Sequence, residues 1–260
     1  MNKRLLEALT QMVRPNTSPV AVKVQEGGED LPPRAVFPFQ NFKNRLALCQ
    51  GFSLARRMGM TVVFGPQDHQ CPIVLMALGI KEVSERFKEG VTAHPFYAET
   101  PEIGAALNAS HLLTLPRSDD RHVIIAPLER AAFTPDVILV YGNSAQIHRL
   151  IMAANYKTGR PVTAVLTERM GCVRALIGAM QSGEYQVAIP GSGERAFGLC
   201  GEDELIFAVP QKRVEELVSG LEGTQKAGGM RYPNICPALM NKPAFPAAFG
   251  PLMEELGLEK

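Results

Sequence analysis

Short apolar runs alternate along the chain with polar, glycine- or proline-bearing turns, and the spacing inside each run predicts its element. Leu5, Leu6, Ala8, Leu9, Met12 and Val13 recur at helical spacing, so the chain opens with a helix that Pro15 ends. PVAVKV (Pro19 to Val24) is β-rich and predicts a strand, with a Gly/Pro/acidic loop over 26–33. Residues 46–58 read as a helix closed by Gly59, since glycine tolerates the left-handed cap. Thr61 to Gly65 predicts a buried strand. Pro72 stands where a new helix begins, and Ile73, Val74, Met76 and Ala77 follow at helical spacing. Further helices are expected over 83–88, 98–107, 145–156, 172–180 and 212–221. Strands are expected over 122–129, 135–142, 161–166, 185–191 and 204–210. The tail from Ala227 is rich in Gly and Pro and is expected to wrap the surface.

The pattern also repeats. Met60 to Gly79 (MTVVFGPQDHQCPIVLMALG) lies over Pro161 to Met180 (PVTAVLTERMGCVRALIGAM) without a gap, and Cys71 falls on Cys172. Upstream, PVAVKV matches PDVILVYG; downstream, HVIIAPLE matches ELIFAVPQ. The expected fold class is α/β, with two diverged βαβα-type repeats related by a pseudo-twofold. The repeats are residues 1–133 and 134–260, packed as one compact unit. Cys71 and Cys172 then precede helices, whose first amides carry partial positive charge and favour a thiolate. Ligand sites in open α/β sheets also favour that end of the strands.

Composition narrows the function. Of 260 residues, 46% are hydrophobic, enough for a large core, and 27 basic against 26 acidic residues leave a formal charge of +1. No basic stripe points to nucleic acid. No basic amphipathic helix or long apolar run points to a membrane. The five dispersed cysteines do not suggest a disulfide framework, and no apolar leader follows the first residues. A cytoplasmic location is expected, with a small-molecule ligand as partner and a homo-oligomer left open.

Several pieces together resemble the uncharacterised domain-of-unknown-function family 169, over nearly the whole chain. They are PVAVKV, Cys49-Gln50, Cys71 with a helix reaching LGI, APLE at 126–129, and PDVILVYGN at 135–143. GCVRA around Cys172, the glycine-rich GSGERAFG and the closing RYP complete them. The resemblance supplies a pattern and no reaction. It implies that Cys49, Cys71 and Cys172 fall on the family's characteristic cysteine positions, and that Cys200 and Cys236 do not.

Those three cysteines are the main candidate site. Three thiolates suit an iron–sulfur cluster, such as a 4Fe-4S cubane with one open iron; zinc, or no metal at all, is the alternative. The spacing matches no C-x-x-C motif, and reactive thiols or plain core filling stay open. His69, beside Cys71, and Arg174, two residues after Cys172 and a candidate to point back toward its pocket, are the candidate catalytic residues; His69 is a candidate fourth ligand or proton donor. Gly191, Ser192, Gly193 and Arg195 form a glycine-rich turn after a strand, a candidate anion site that is not a Walker loop. Lys23, a charge inside an apolar strand, needs an acidic partner or water. The expected function is a cysteine-ligated iron–sulfur or metal-binding protein that acts on or binds a small anionic molecule. An iron–sulfur-dependent lyase or oxidoreductase is the enzyme class left open. A non-catalytic binding module and a metal-free thiol enzyme are the alternatives.

Overall fold

Val20 and Val22 of the first strand face one layer of the core, and Ala21 between them faces another. That alternation is the plan of the whole molecule: one sheet with a covered face on each side. The computed structural model describes residues 2–228, 232, 243 and 245–258. Cys236, other parts of the tail and two residues of the RYP motif lie outside the described residues.

Helix α1 (Asn2–Met12) leads into β1 (Val20–Glu26). Then come α2 (Pro38–Phe42), α3 (Leu48–Met58), β2 (Val62–Phe64), α4 (Pro72–Ala77), α5 (Glu85–Lys88), α6 (Pro101–His111) and β3 (Arg121–Pro127). The second half runs β4 (Val137–Gly142), α7 (Ser144–Asn155) and a helical stretch made of α8 (Gly171–Val173), a π-turn (Arg174–Gly178) and α9 (Ala179–Ser182). It continues with β5 (Gln186–Ala188), α10 (Ser192–Ala196), β6 (Leu205–Pro210) and α11 (Val214–Lys226). A short α12 (Gly250–Glu255) lies near the end.

The strands form one six-stranded sheet in the order β2-β3-β1-β4-β6-β5. Every ladder between neighbouring strands is antiparallel. The expectation of an α/β protein holds as a mixed α/β fold. The parallel-sheet argument for a site at one end of the strands does not apply, because the ladders run the other way. β3, β4 and most of β6 are buried on both faces. Such strands read as unbroken apolar runs whatever their direction, so the pattern does not encode parallel against antiparallel.

On one face, Val137, Leu139 and Tyr141 of β4 pack with α3, α4 and the stretch 171–182. On the other, Ile138 and Val140 pack with α1, α7 and α11. All the cysteines of the described residues lie on or beside the first face. β1 is a central strand, yet only Val20–Val22 pair with β4. Lys23 sits just past that ladder, half-buried beside Asp136, whose carboxylate also accepts the Val24 N–H at 2.8 Å.

One expected element is missing. Residues 161–166 form no strand and pair with nothing in the sheet. Val165 and Leu166 are each 54% exposed. β-branched residues favour a strand only where a pleated surface receives them, and this segment runs across the outside. The gapless overlay of 60–79 on 161–180 therefore sets a strand against irregular chain. The strand that follows Cys172 is instead β5.

Candidate functional site

Three separate segments bring the candidate cysteines to one place, and hydrogen bonds between the segments explain how. Leu46 N–H donates to the Asp68 carbonyl (2.9 Å), and Gln70 N–H donates to the Leu46 carbonyl (2.9 Å). This short bridge fixes the start of α3 against the turn before α4. Cys49 is the second residue of α3, and Cys71 is the N-cap of α4. Asp68, fully buried, holds the turn from inside by accepting N–H groups from Phe39 (2.8 Å) and Gly65 (2.9 Å).

The third segment carries Cys172, the second residue of α8. Its N–H donates to Oε1 of Glu194 at 2.6 Å, and Oε2 of the same carboxylate accepts the Gly191 N–H at 3.0 Å. Glu194 thus clamps the start of α8 to the start of α10. The fit requires glycine at 171: a Cβ there would lie 2.6 Å from the Ile189 carbonyl oxygen. The Cys49 thiol reaches across to the Gly193 carbonyl at 3.8 Å.

Cys49, Cys71 and Cys172 all border one cavity of about 710 Å³. Its wall is mostly apolar, with Pro72, Ile73, Val74, Met170, Val173 and Phe197. The polar contributors include Gln50, Gln70, Tyr97, Arg169, Ser192 and Glu194. Cys49 and Cys172 are buried and Cys71 is partly exposed; all three are free thiols.

Burial pushes the Cys49 thiol up to about 12, and Glu194, Cys71 and Cys200 push in the same direction. Cys172 is raised well above the usual thiol value by burial and then by Glu194. Cys71 is raised by burial, partly offset by backbone N–H groups of Val74 and Ile73. Desolvation therefore outweighs the helix-start effect expected from sequence, and the thiols stay protonated at neutral pH. Among the described residues, no group of three or more His, Cys, Asp or Glu side chains is arranged as it stands to hold a metal ion.

The other candidates are spread out. Ser192 and Gly193 of the glycine-rich turn border the cavity; Gly191 lies just behind, bonded to Glu194. Arg195 does not border it. Its guanidinium donates to the Gly201 carbonyl (2.7 Å) and faces Glu202. Arg174 is also engaged elsewhere, donating to the Ser110 carbonyl at 2.8 Å. His69 is buried behind Cys71 against the Phe64 ring, centroids 5.0 Å apart, and neither ring nitrogen has a hydrogen-bond partner among the described residues. Burial, and then His122, lower its pKa to about 3. Cys200 lies behind the cavity wall, within 3.9 Å of the Arg56 guanidinium.

Glu194, Arg169 and Tyr97 of the wall were not among the sequence candidates. Glu194 had a signal: a glutamate three residues after an N-cap position is half of a capping box, and Gly191 to Glu194 has that spacing. Arg169 and Tyr97 had none, because their meeting depends on tertiary packing. The Arg169 guanidinium lies over the Tyr97 ring, 4.8 Å from its centroid. The Tyr97 hydroxyl is 2.6 Å from that of Ser192.

No helix among the described residues is long and apolar enough to cross a membrane. No curated protein and no solved structure matches the chain. The family model described as uncharacterised ArCR, domain of unknown function 169, matches residues 8–220, and the chain belongs to that family.

Proposed function

We propose that this chain is a cysteine-ligated iron–sulfur protein that receives a small anionic molecule in the same cavity. The observation that carries the reading is that Cys49, Cys71 and Cys172 come from three distant segments and border one space. Soft thiolates suit iron–sulfur clusters and zinc. A bare zinc ion fits less well, because among the described residues the side chains do not close around a single ion and structural zinc takes four close ligands. A cluster is wider and suits ligands spread over a cavity wall. Three protein sulfurs would leave one position for another ligand. Ligation would also deprotonate the thiols, whose raised pKa values keep them neutral otherwise.

The alternative is a metal-free binding module, favoured by the mostly apolar wall. A metal-free thiol enzyme is disfavoured, since a nucleophilic cysteine needs a lowered pKa and these are raised.

The finer reading of the fold belongs with this proposal: the two halves are diverged copies about an axis between β1 and β4. The order β2-β3-β1 is mirrored by β5-β6-β4. In this register Cys49, not Cys71, corresponds to Cys172. Each is the second residue of its helix, and each helix ends on a left-handed glycine, Gly59 (φ 69°) or Gly183 (φ 63°), three residues before a strand. The stretch from Cys172 to Gly183 is one residue longer than that from Cys49 to Gly59, and the π-turn Arg174–Gly178 supplies a place for the extra residue.

The test is anaerobic purification and reconstitution with iron and sulfide, read by iron and labile-sulfide content and by an absorbance shoulder at about 400 nm. Serine at Cys49, Cys71 or Cys172 is expected to remove half or more of the iron, and Cys200→Ser to leave it. No iron in the wild type, or equal loss from Cys200→Ser, overturns the reading.

A further inference from the structure

We propose that Arg169 selects the ligand of the thiol-lined cavity, and that this ligand is a small, singly charged carboxylate with an apolar body. The inference rests on reading that cavity as a ligand site, and it replaces Arg195 as the anion-recognising residue. Arg169 is 6% exposed yet borders the cavity. Its neighbours hold the guanidinium in place. One terminal nitrogen donates to the Asn108 side-chain oxygen, the other reaches the Thr92 carbonyl at 3.4 Å, and Nε lies 3.1 Å from Glu168. Tyr97 lies against its face, pinned by the Ser192 hydroxyl.

A guanidinium carries five N–H donors in a planar fork, and these contacts leave part of the fork for a ligand. Glu168 is not part of the cavity lining: it faces the Nε edge and, being partly exposed to solvent, offsets the charge only in part. Burial is the first cause of a lowered pKa at Arg169, the sign of a cation short of solvation. Among the described residues, Arg169 is the one cationic side chain on the cavity wall. Glu194 is the one carboxylate there, and backbone N–H groups occupy both of its oxygens.

The charge of the ligand follows from this count. One cation matches one negative charge. A phosphate carries more and would call for a second cation, which the described wall does not supply. The body of the ligand follows from Pro72, Ile73, Val74, Val173 and Phe197, which offer apolar surface and little hydrogen bonding.

The test is calorimetric binding of two matched pairs, hexanoate with hexanamide and benzoate with benzamide, to full-length anaerobic protein with and without reconstituted iron. Each carboxylate is expected to bind about tenfold or more tightly than its amide. Arg169→Met is expected to bring that ratio to about one while amide binding is kept. Should Arg169→Met fail to fold, Arg169→Lys decides: a point charge in place of the fork lowers the ratio severalfold at an unchanged melting temperature. Equal binding of acid and amide by the wild type, no binding of any member, or a ratio unmoved by both variants overturns the proposal. Iron content is read separately. Carboxylate preference without iron sinks only the cluster, and iron without carboxylate preference sinks only the role of Arg169.

Discussion

The backbone N–H of Cys172 donates to Oε1 of Glu194 at 2.6 Å, so a carboxylate that is 3% exposed braces the helix start bearing a candidate ligand. Its other oxygen serves Gly191. Removing it as Glu194→Ala leaves two buried N–H groups without acceptors. The expected cost is about 2–5 kcal/mol by urea denaturation. Glu194→Gln keeps one acceptor and should cost less than half of that. If alanine and glutamine are equally mild, the clamp is not holding the two helices together.

Burial raises the Cys49 and Cys172 thiols, and the same carboxylate raises them further. Alkylation by iodoacetamide at pH 7.5 is expected to be fastest at Cys71, the most exposed, and slow at Cys49 and Cys172; peptide mass spectrometry reads the order. The folded protein holds these protons more tightly than the unfolded chain, whose thiols titrate at about 8.5. Their contribution to stability is therefore complete below that pH and is lost as pH rises toward about 12, the value for Cys49. Glu194→Gln lowers the folded values and should make that loss smaller, with its onset unchanged. Rapid modification of Cys49 at pH 7.5 in folded protein contradicts the assignment.

His69 has the opposite sign. Its folded pKa, about 3, lies below the ordinary value of 6.5. The unfolded chain binds a proton between those values and the folded protein does not, so stability falls as pH drops through that window. The slope from this one group is about 1.4 kcal/mol per pH unit. His69→Leu removes a buried imidazole whose nitrogens have no hydrogen-bond partner among the described residues. It should flatten the acid limb between pH 4 and 6 with little cost at pH 8. An acid limb unchanged by the substitution assigns it to other groups.

Arg56 and Glu204 form a buried pair, 2.7 Å apart, with the guanidinium over the Tyr141 ring at 4.1 Å. It joins α3 to the start of β6. Breaking it as Arg56→Met leaves the buried Glu204 carboxylate with the Gly201 N–H at 2.8 Å and the partly exposed Arg57 at 3.7 Å, at an expected cost of about 3 kcal/mol. A double variant, Arg56→Met with Glu204→Leu, should recover much of that loss. Failure of the double variant to recover would mean that the pair matters for shape more than for charge.

Most elements were legible because their signals are local. Gly59 ends α3 and Pro72 opens α4 where their backbone preferences place them. The spurious strand at 161–166 shows where local signals stop: Val162, Thr163 and Val165 have strand propensity, but no edge receives them. Strand direction was hidden for the opposite reason, since β3 and β4 are covered on both faces. The three cysteines were legible as a set only through the family pattern. Their meeting depends on Leu46 bonding to the turn at 68–70 and on Glu194 bonding across to Cys172, which no spacing encodes. The gapless overlay failed for the same reason as the spurious strand, because residues 161–166 find no neighbour in the sheet.

The bridge between Leu46 and the turn at 68–70 has a mechanical consequence. Cys49 and Cys71 are carried by segments bonded to each other, and Cys172 and Gly193 by segments bonded through Glu194. The cavity is therefore a vice with two jaws. The jaws meet along one seam, α3 against residues 193–204, closed by the contact of Cys49 with Gly193 and by hydrogen bonds from Ser53 to the Gly198 carbonyl and from Arg57 to the Leu199 carbonyl. A guest that is too large works against that one seam, and a substitution that widens it retunes all three sulfurs at once.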